Sequence, residues 1–187
     1  MTPTAFKLLV TGDPGCGKTT ALRRVVDALR GAVPMTGFLT EEIRLGERRL
    51  GFQGRTLDGR TFPLAHVDVG GAFRVGPYGV DLAGLESVGL AALSARAGIG
   101  LVVLDEIGKM ESFSAAFREA VESLLAAEIP LLATVAVHGV GFPKRVRHDR
   151  RAELVRMTRA SRGAIVGDIL RRLEARGVTV ASPEETA

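Results

Sequence analysis

Sulfur and large aromatic side chains are scarce in this sequence. The 187 residues include one cysteine, one tyrosine and no tryptophan, and aromatic residues make up 5% of the chain. A single cysteine excludes an intrachain disulfide and agrees with a reducing compartment. The formal net charge of +4 favours anionic partners, but so few aromatic rings leave no visible platform for stacking bases. We therefore predict a cytoplasmic protein whose partner is not nucleic acid.

Long apolar runs and low-complexity stretches are also missing. No apolar segment approaches the roughly 20 residues that a membrane-spanning helix needs, and the apolar run at 6–10 is too short for a secretion signal. There is no internal repeat and no Pro- or Ser-rich linker, while 46% of the residues are apolar, which suffices for one core. We expect no membrane contact and a single domain over 1–187, with a β-rich insertion at about 36–66 and a flexible tail at about 181–187.

The most informative segment lies near the N-terminus, where residues 12–19 read GDPGCGKT between an apolar stretch and a helical pattern. This is the context of a P-loop, whose glycines let successive backbone N–H groups surround phosphate oxygens at the start of a helix. By the usual roles, Lys18 contacts the β- and γ-phosphates and Thr19 is a ligand of Mg²⁺. The predicted nucleotide-binding residues of this segment are Gly12, Asp13, Pro14, Gly15, Cys16, Gly17, Lys18, Thr19 and Thr20.

Two adjacent acidic residues, Asp105 and Glu106, follow a second apolar strand in the manner of a Walker B motif. An unpaired carboxylate at the end of a buried strand is costly, and Mg²⁺ is a suitable partner for it. Because successive strand residues point to opposite sides, the two acids are expected to have different roles. We predict that Asp105 binds Mg²⁺, directly or through water, and that Glu106 orients and deprotonates the attacking water. Lys18, Asp105 and Glu106 are thus the predicted catalytic residues.

Hydrophobic periodicity predicts an α/β chain. Strands are expected at about 6–11, 99–104 and 130–137, and helices at about 18–30, 81–97, 112–127 and 161–176. The segment 36–62 is extended and rich in turns, with hairpin turns at 45–47 and 57–59, which predicts an inserted β-meander. Buried strands flanked by helices imply a three-layer fold with a mainly parallel sheet and a ligand at the carboxyl ends of its strands.

These motifs together resemble the nucleoside-triphosphatases first described from thermophiles, whose human relative is the cancer-related nucleoside-triphosphatase. The similar segments read GDPGCGKTT from 12, GFLTEEIR from 37, VGPYGVD from 75 and DEIGKME from 105, in order along nearly the whole chain. The resemblance implies a RecA-like P-loop fold and slow, Mg²⁺-dependent hydrolysis of the β–γ bond of ATP, GTP, CTP and UTP. It also implies nucleotide binding by 12–19 and 101–108, where only Asp105, Glu106, Ile107 and Gly108 are expected to touch ligand. Residues 138–151 are the least family-like.

Other functions and several residue roles stay open from the sequence. A P-loop kinase, which transfers the γ-phosphoryl group to a small nucleoside-like or nucleotide-like acceptor, would use the same two motifs, and so would a nucleotide-dependent switch. Arg44 is either an internal arginine finger or a member of an ion pair. Tyr78 either stacks on a base or anchors the core. The basic cluster at 144–151 is a solvated helix, a source of charge for the triphosphate or a kinase lid. No motif indicates base preference or oligomeric state.

Overall fold

The structure is a computed structural model that describes residues 6–94 and 96–178, and the predicted tail at 181–187 lies outside them. The strands are β1 (Lys7–Gly12), β2 (Met35–Leu45), β3 (Arg48–Thr56), β4 (Thr61–His66), β5 (Arg74–Val75), β6 (Tyr78–Val80), β7 (Leu101–Ile107), β8 (Leu131–Ala136) and β9 (Glu153–Arg156). The helices are α1 (Lys18–Leu29), α2 (Leu82–Gly84), α3 (Leu90–Ala92), α4 (Ala115–Ala126), α5 (Phe142–Arg147) and α6 (Ile165–Glu174). None of the helices in the described ranges is long and apolar enough to cross a membrane.

All nine strands belong to one mixed sheet with the order β5-β6-β4-β3-β2-β7-β8-β1-β9. The five strands from β2 to β9 in this order pair in parallel, and β3, β4, β6 and β5 extend the sheet with antiparallel pairs. Strand β8 therefore lies between β1, which leads into the glycine-rich loop, and β7, which carries Asp105 and Glu106. This order brings the carboxyl ends of the three strands to the same edge.

Two hydrophobic cores cover the two faces of the parallel strands and confirm the predicted three-layer α/β fold. Leu101 and Val103 of β7 pack in one core with α1 and α6. Val102 and Leu104 alternate with them and pack in the second core with α4 and α5. Because successive side chains of a strand point to opposite faces, helices on both sides explain why this strand is apolar without interruption.

The predicted β-meander is continuous with the parallel sheet rather than a separate insertion. Residues 35–38 of β2 pair in parallel with β7, whereas residues 38–45 of the same strand pair antiparallel with β3. The antiparallel part also continues beyond 66, since β5 and β6 extend it to Val80. One strand of 11 residues thus carries both kinds of pairing along its length.

The predicted helix over 81–97 is wrong in its continuity and its end. Asp81 caps α2 by accepting the Gly84 N–H at 3.0 Å, a π-helical turn follows at Leu85–Gly89, and α3 ends at Ala92. The predicted helix over 161–176 begins with a 3₁₀ turn, Ser161–Gly163, before α6. Strand β9 was not predicted, because a short charged segment such as Glu153–Arg156 shows too few apolar positions for a period. Helix α5 agrees with the helix that was one of the alternatives for the basic cluster at 144–151.

Candidate active site

The glycine-rich loop between β1 and α1 has the backbone that its sequence predicts. Gly15 and Gly17 have φ values of +73° and +105°, in the left-handed region that favours glycine. At Gly12 an added Cβ atom would lie 2.3 Å from the Met157 carbonyl oxygen, so this position is closed to a side chain. The loop leads into the N-terminus of the 12-residue helix α1, where free backbone N–H groups attract an anion.

Lys18 connects this loop with the end of β7. Its Nζ donates to the Gly12 carbonyl oxygen at 3.0 Å and lies 3.9 Å from Oε1 of Glu106. The Lys18 side chain is 10% exposed and that of Glu106 is 33% exposed, so both groups are accessible from the same opening. The ammonium group is therefore held between the loop and the acidic pair.

The carboxyl group of Asp105 is buried, with 1% of the residue exposed, and polar groups from three other elements surround it. Thr19 of α1 donates its hydroxyl to Oδ2 at 2.7 Å, and Thr134 of β8 donates to Oδ1 at 2.5 Å. Thr40 of β2 donates its backbone N–H to Oδ2 at 3.3 Å. Burial raises the pKa of Asp105, while the hydrogen bonds from Thr134 and Thr19 oppose that shift by favouring the charged form.

Two more carboxyl groups lie near Asp105. Burial raises the pKa of Glu106, the positive charge of Lys18 lowers it, and the negative charge of Asp105 raises it further. Glu111, in the 3₁₀ turn Glu111–Phe113, is 4% exposed, and burial together with the charges of Glu106 and Asp105 raises its pKa to about 8. An added Cβ at Gly108 would lie 2.9 Å from Oε2 of Glu111, so a side chain there would displace the Glu111 carboxyl group.

A hydroxyl and a carboxylate stand together where a divalent cation would bind. The Thr19 and Asp105 oxygens are hard donors 2.7 Å apart, and Mg²⁺ commonly takes one or two such protein ligands and fills its octahedron with phosphate oxygens and water. Among residues 6–94 and 96–178, no group of three or more His, Cys, Asp or Glu side chains is arranged to hold a metal. The donor set therefore fits a cation that arrives with a phosphate ligand.

The structure brings four of the predicted site residues together. Lys18, Thr19, Asp105 and Glu106 meet at the carboxyl edge of β1 and β7. Ile107 is fully buried in the core beside α4, so its side chain does not reach the surface on which Glu106 is exposed, and ligand contact by this residue stays a prediction. The pairing of β7 with β8 shifts in register between Leu104 and Ile107, which places Ile107 in the same core as Val102 and Leu104. Thr20 is exposed in the first turn of α1, and Gly108 is buried directly after β7. The other predicted residues form the loop itself: Gly12, Asp13, Pro14, Gly15, Cys16 and Gly17.

Arg44 and Tyr78 both contact protein groups in the antiparallel part of the sheet. Arg44 donates from Nε to Glu42 at 2.8 Å and from Nη1 to the Glu47 carbonyl at 2.9 Å, within the β2–β3 hairpin. The Tyr78 hydroxyl accepts from Nε of Arg49 at 2.9 Å, and its ring packs on Phe52 with centroids 5.3 Å apart. Arg44 is thus a member of an ion pair, and Tyr78 anchors a small satellite core.

The basic cluster at 144–151 divides into groups with different environments. Arg151 pairs with Glu122 at 2.9 Å and Asp149 at 2.6 Å. Arg147, at the end of α5, donates to the carbonyl oxygen of Ala136 at the end of β8. Arg145 extends over the ring of Phe142, with its guanidinium carbon 5.3 Å from the centroid. The cluster is a short helix followed by an ion-paired turn.

Sequence reasoning did not identify several residues that support the site. Three of them lie around the end of β7: Thr40, Thr134 and Glu111. A fourth, Met157, packs against the glycine-rich loop and donates its N–H to the Thr11 carbonyl at 2.7 Å. A polar residue inside the apolar run LLATVA was a visible signal for Thr134. Thr40 and Glu111 lie within segments that resemble the family, but their partners depend on strand order.

A glycine loop before a helix, with a Walker B acid two strands away across the sheet, defines a P-loop nucleoside-triphosphatase. The chain belongs to the NTPase family, whose characteristic sequence matches residues 7–170. It is 37% identical over 166 residues to nucleoside-triphosphatase THEP1 of Thermotoga maritima, covering 88% of this chain and 94% of that protein. It is 35% identical over 181 residues to the human cancer-related nucleoside-triphosphatase, covering 89% and 95%.

Two solved structures have the same fold. The crystal structure of THEP1 from Aquifex aeolicus is similar with a TM-score of 0.82 at 32% identity, covering 90% of this chain and 99% of that one. The solution structure of the human cancer-related nucleoside-triphosphatase is similar with a TM-score of 0.77 at 35% identity, covering 91% and 98%. The resemblance inferred from the motifs is therefore confirmed.

Proposed function

We propose that this protein hydrolyses ATP, GTP, CTP and UTP at the β–γ bond, giving the diphosphate and phosphate, with Mg²⁺ as cofactor and from a cytoplasmic location. The observation that carries the proposal is the arrangement around Asp105. Its carboxylate accepts from Thr19, next to Lys18 in the P-loop, while the adjacent Glu106 lies 3.9 Å from the Lys18 ammonium group. One opening thus contains a phosphate cradle, a cation-binding oxygen pair and a candidate base.

Each group has a distinct role in this reaction. The loop N–H groups, the α1 N-terminus and Lys18 bind the phosphate oxygens, and Thr19 with Asp105 holds Mg²⁺. When bound, Mg²⁺ neutralises charge on the phosphate oxygens. Glu106 accepts a hydrogen bond from water, aligns it with the γ-phosphorus and takes its proton as the bond to the leaving oxygen breaks. Burial raises the pKa of Glu106 and makes the carboxylate a stronger base.

We further propose a low basal rate and weak base discrimination. An arginine finger contributes about a thousandfold or more in related reactions, but Arg44 and Arg151 are engaged with acids. The sequence contains no NKxD run of the kind that selects guanine. Without a run that selects a base, the triphosphate is bound mainly through its phosphates, which all four nucleotides share.

The experiment measures phosphate release from ATP, GTP, CTP and UTP with Mg²⁺ in the wild type, Glu106→Gln and Lys18→Ala. We expect the wild type to release phosphate from all four nucleotides. In Glu106→Gln the rate of release should fall by about 100-fold or more while nucleotide binding is retained. Lys18→Ala should lose tight nucleotide binding. Glu119→Gln, at an exposed position of α4, removes one charge far from the loop and serves as the matched control. Unchanged turnover in Glu106→Gln would remove this residue from the role of base.

The same assay separates hydrolysis from phosphoryl transfer. Pooled nucleosides and small metabolites are added as acceptors, and diphosphate and free phosphate are quantified together. Equal amounts of the two products, independent of acceptors, support the triphosphatase. Diphosphate that exceeds free phosphate and rises with one acceptor identifies a kinase instead.

A further inference from the structure

A basic pocket lies beside the candidate active site and has no role in the reaction above. It is a cavity of about 270 Å³ between the segment that follows β7, helix α4 and the start of α5. Its lining includes the cations Lys109, Arg118 and Arg145 and the apolar side chains of Phe113, Val140 and Phe142. We refer to these six residues as the basic pocket.

The three cations of the basic pocket are not neutralised by acids. Within residues 6–94 and 96–178, none of them forms a salt bridge, and no Asp or Glu lines the cavity. Arg118 is held in place because Nη1 donates to the carbonyl oxygens of Ser112 at 2.6 Å and Phe113 at 3.4 Å. Its remaining N–H groups, with the heads of Lys109 and Arg145, give a local charge of about +3, which favours a dianion over a singly charged carboxylate.

The walls of the basic pocket also offer apolar surface. Phe142 lies under the Arg145 guanidinium group, and Phe113 packs against Phe73 with centroids 5.2 Å apart. Phe73 is 44% exposed and Val140 is 86% exposed, so both leave apolar surface accessible to a ligand. Aromatic rings beside guanidinium groups suit a ligand that joins a flat ring to a phosphate.

The position of the basic pocket links it to the nucleotide. Lys109 follows Glu106 by three residues on the same segment. On the other side, the loop that carries Val140 also carries His138, whose Nε2 lies 3.5 Å from Oδ1 of Asp13 in the P-loop. Two segments that line the basic pocket therefore continue into the phosphate site. The two sites share no residues.

We propose that the basic pocket binds a second ligand, a phosphate monoester joined to a planar ring, of which a nucleoside monophosphate is the type. Its volume lies slightly below the usual range of small-molecule sites, so the pocket encloses the phosphate with part of the sugar, and the ring extends along its wall at Phe113. The guanidinium groups bind the phosphate oxygens, and Phe113 contacts the ring. The inference goes beyond hydrolysis, since the pocket binds this ligand whether or not the triphosphate is cleaved.

The test titrates AMP, GMP, CMP, UMP or inorganic phosphate into the full chain saturated with a non-hydrolysable ATP analogue and Mg²⁺, so that the P-loop is filled. Calorimetry measures affinity in the wild type, Arg145→Gln, Val140→Glu and Val140→Lys. We expect the monophosphates to bind more tightly than inorganic phosphate. We also expect affinity to fall about tenfold in Arg145→Gln and further in Val140→Glu, and to be kept in Val140→Lys. Arg171→Gln, at an exposed position of α6, is the control for lost charge.

Several outcomes decide the proposal. Absence of monophosphate binding, affinity equal to that of inorganic phosphate, or equal losses in Val140→Glu and Val140→Lys would overturn it. A 5′-phosphorylated oligonucleotide that binds more tightly than the monophosphates, with the same dependence on Arg145, supports the site and shows that its ligand is a strand end. Monophosphate binding that persists in Lys18→Ala separates this inference from the proposed hydrolysis, because that variant tests the P-loop alone.

Discussion

Asp105 illustrates how a buried carboxylate is kept in one orientation before it binds a cation. Its two oxygens accept from Thr19 and Thr134, and the Thr40 hydroxyl donates to its backbone carbonyl at 2.5 Å. These partners offset part of the cost of burying the charge and point one oxygen toward the P-loop. Positioning therefore depends not only on Thr19 of the P-loop but also on Thr40 and Thr134, which lie outside the Walker motifs.

Thr134→Val should weaken metal binding without changing the shape of the core. The variant removes the donor 2.5 Å from Oδ1 of Asp105, so the carboxylate loses its fixed orientation. We expect the Mg²⁺ concentration for half-maximal hydrolysis to rise by about 10- to 100-fold. Thr11→Val is the matched control, since Thr11 donates to the Val135 carbonyl and does not contact Asp105. Equal Mg²⁺ dependence in the two variants would contradict the role of Thr134.

Glu111 should make stability depend on pH in the nucleotide-free and Mg²⁺-free protein. Its pKa is about 8 in the fold against 4.5 normally, so the folded state holds a proton that the unfolded state releases between these values. The free energy of unfolding therefore falls as pH rises from about 4.5 to 8, by on the order of 3 kcal/mol. Denaturant unfolding is measured at pH 5 and pH 8.5. The free energy of unfolding of Glu111→Gln, relative to that of the wild type, should be higher at pH 8.5 than at pH 5. A constant difference between the two proteins would show that Glu111 does not titrate in this range.

At the scale of elements, β2 joins the parallel and antiparallel parts of the sheet. Gly37 lies where the strand passes β7, with φ of +123° and with its Cβ position only 1.8 Å from the Val103 carbonyl oxygen. Both the conformation and the contact exclude a side chain. The close approach lets β2 pair with β7 and still place Thr40 against Asp105 three residues later.

Gly37→Ala should be strongly destabilising because the new methyl group meets backbone on a buried strand. We expect the free energy of unfolding to fall by about 3 kcal/mol or more. Gly31→Ala is the matched control, since Gly31 has φ of +83° but open space around it, and only the conformational cost of about 1–2 kcal/mol applies. Urea titration followed by circular dichroism measures both. Equal losses would mean that the strand moves to accept the methyl group.

At the scale of the whole molecule, the nucleotide site collects groups from distant parts of the chain. The P-loop packs on Met157 after β9, its lysine approaches Glu106 of β7, and Asp105 contacts β2 and β8. A ligand bound there is therefore supported by contacts among all five parallel strands. Its binding free energy should therefore appear as stability of the entire fold.

A diphosphate nucleotide with Mg²⁺ should raise the melting temperature of the wild type. At a ligand concentration 100 times Kd, the stabilisation is about 2.7 kcal/mol, which corresponds to roughly 5–10 °C for a chain of this length. Thermal melts with ADP and Mg²⁺, with ADP and EDTA, and without ligand measure the effect. We expect Lys18→Ala to lose the shift while melting near the wild type without ligand. A full shift in that variant would place the nucleotide elsewhere.

The glycine-rich loop, the Walker B acids and the fold class were predictable because each depends on residues close in sequence. Gly15 and Gly17 are needed for a local backbone shape, and the apolar run before Asp105 identifies a strand buried on both faces. Glu106 is a candidate base by its position next to a metal ligand. Local chemistry of this kind needs no knowledge of strand order.

The supporting groups depended on the tertiary structure. Thr134 reaches Asp105 only because β8 lies between β1 and β7, and the pKa of Glu111 rises only because the chain around it excludes water. The burial of Ile107 was not predictable, because a motif does not state where a strand becomes buried. The basic pocket joins cations from three separate segments. The sequence by itself determined the phosphate-binding chemistry, while strand order and burial decided which other side chains act on it, since both arise from contacts between residues far apart in the chain.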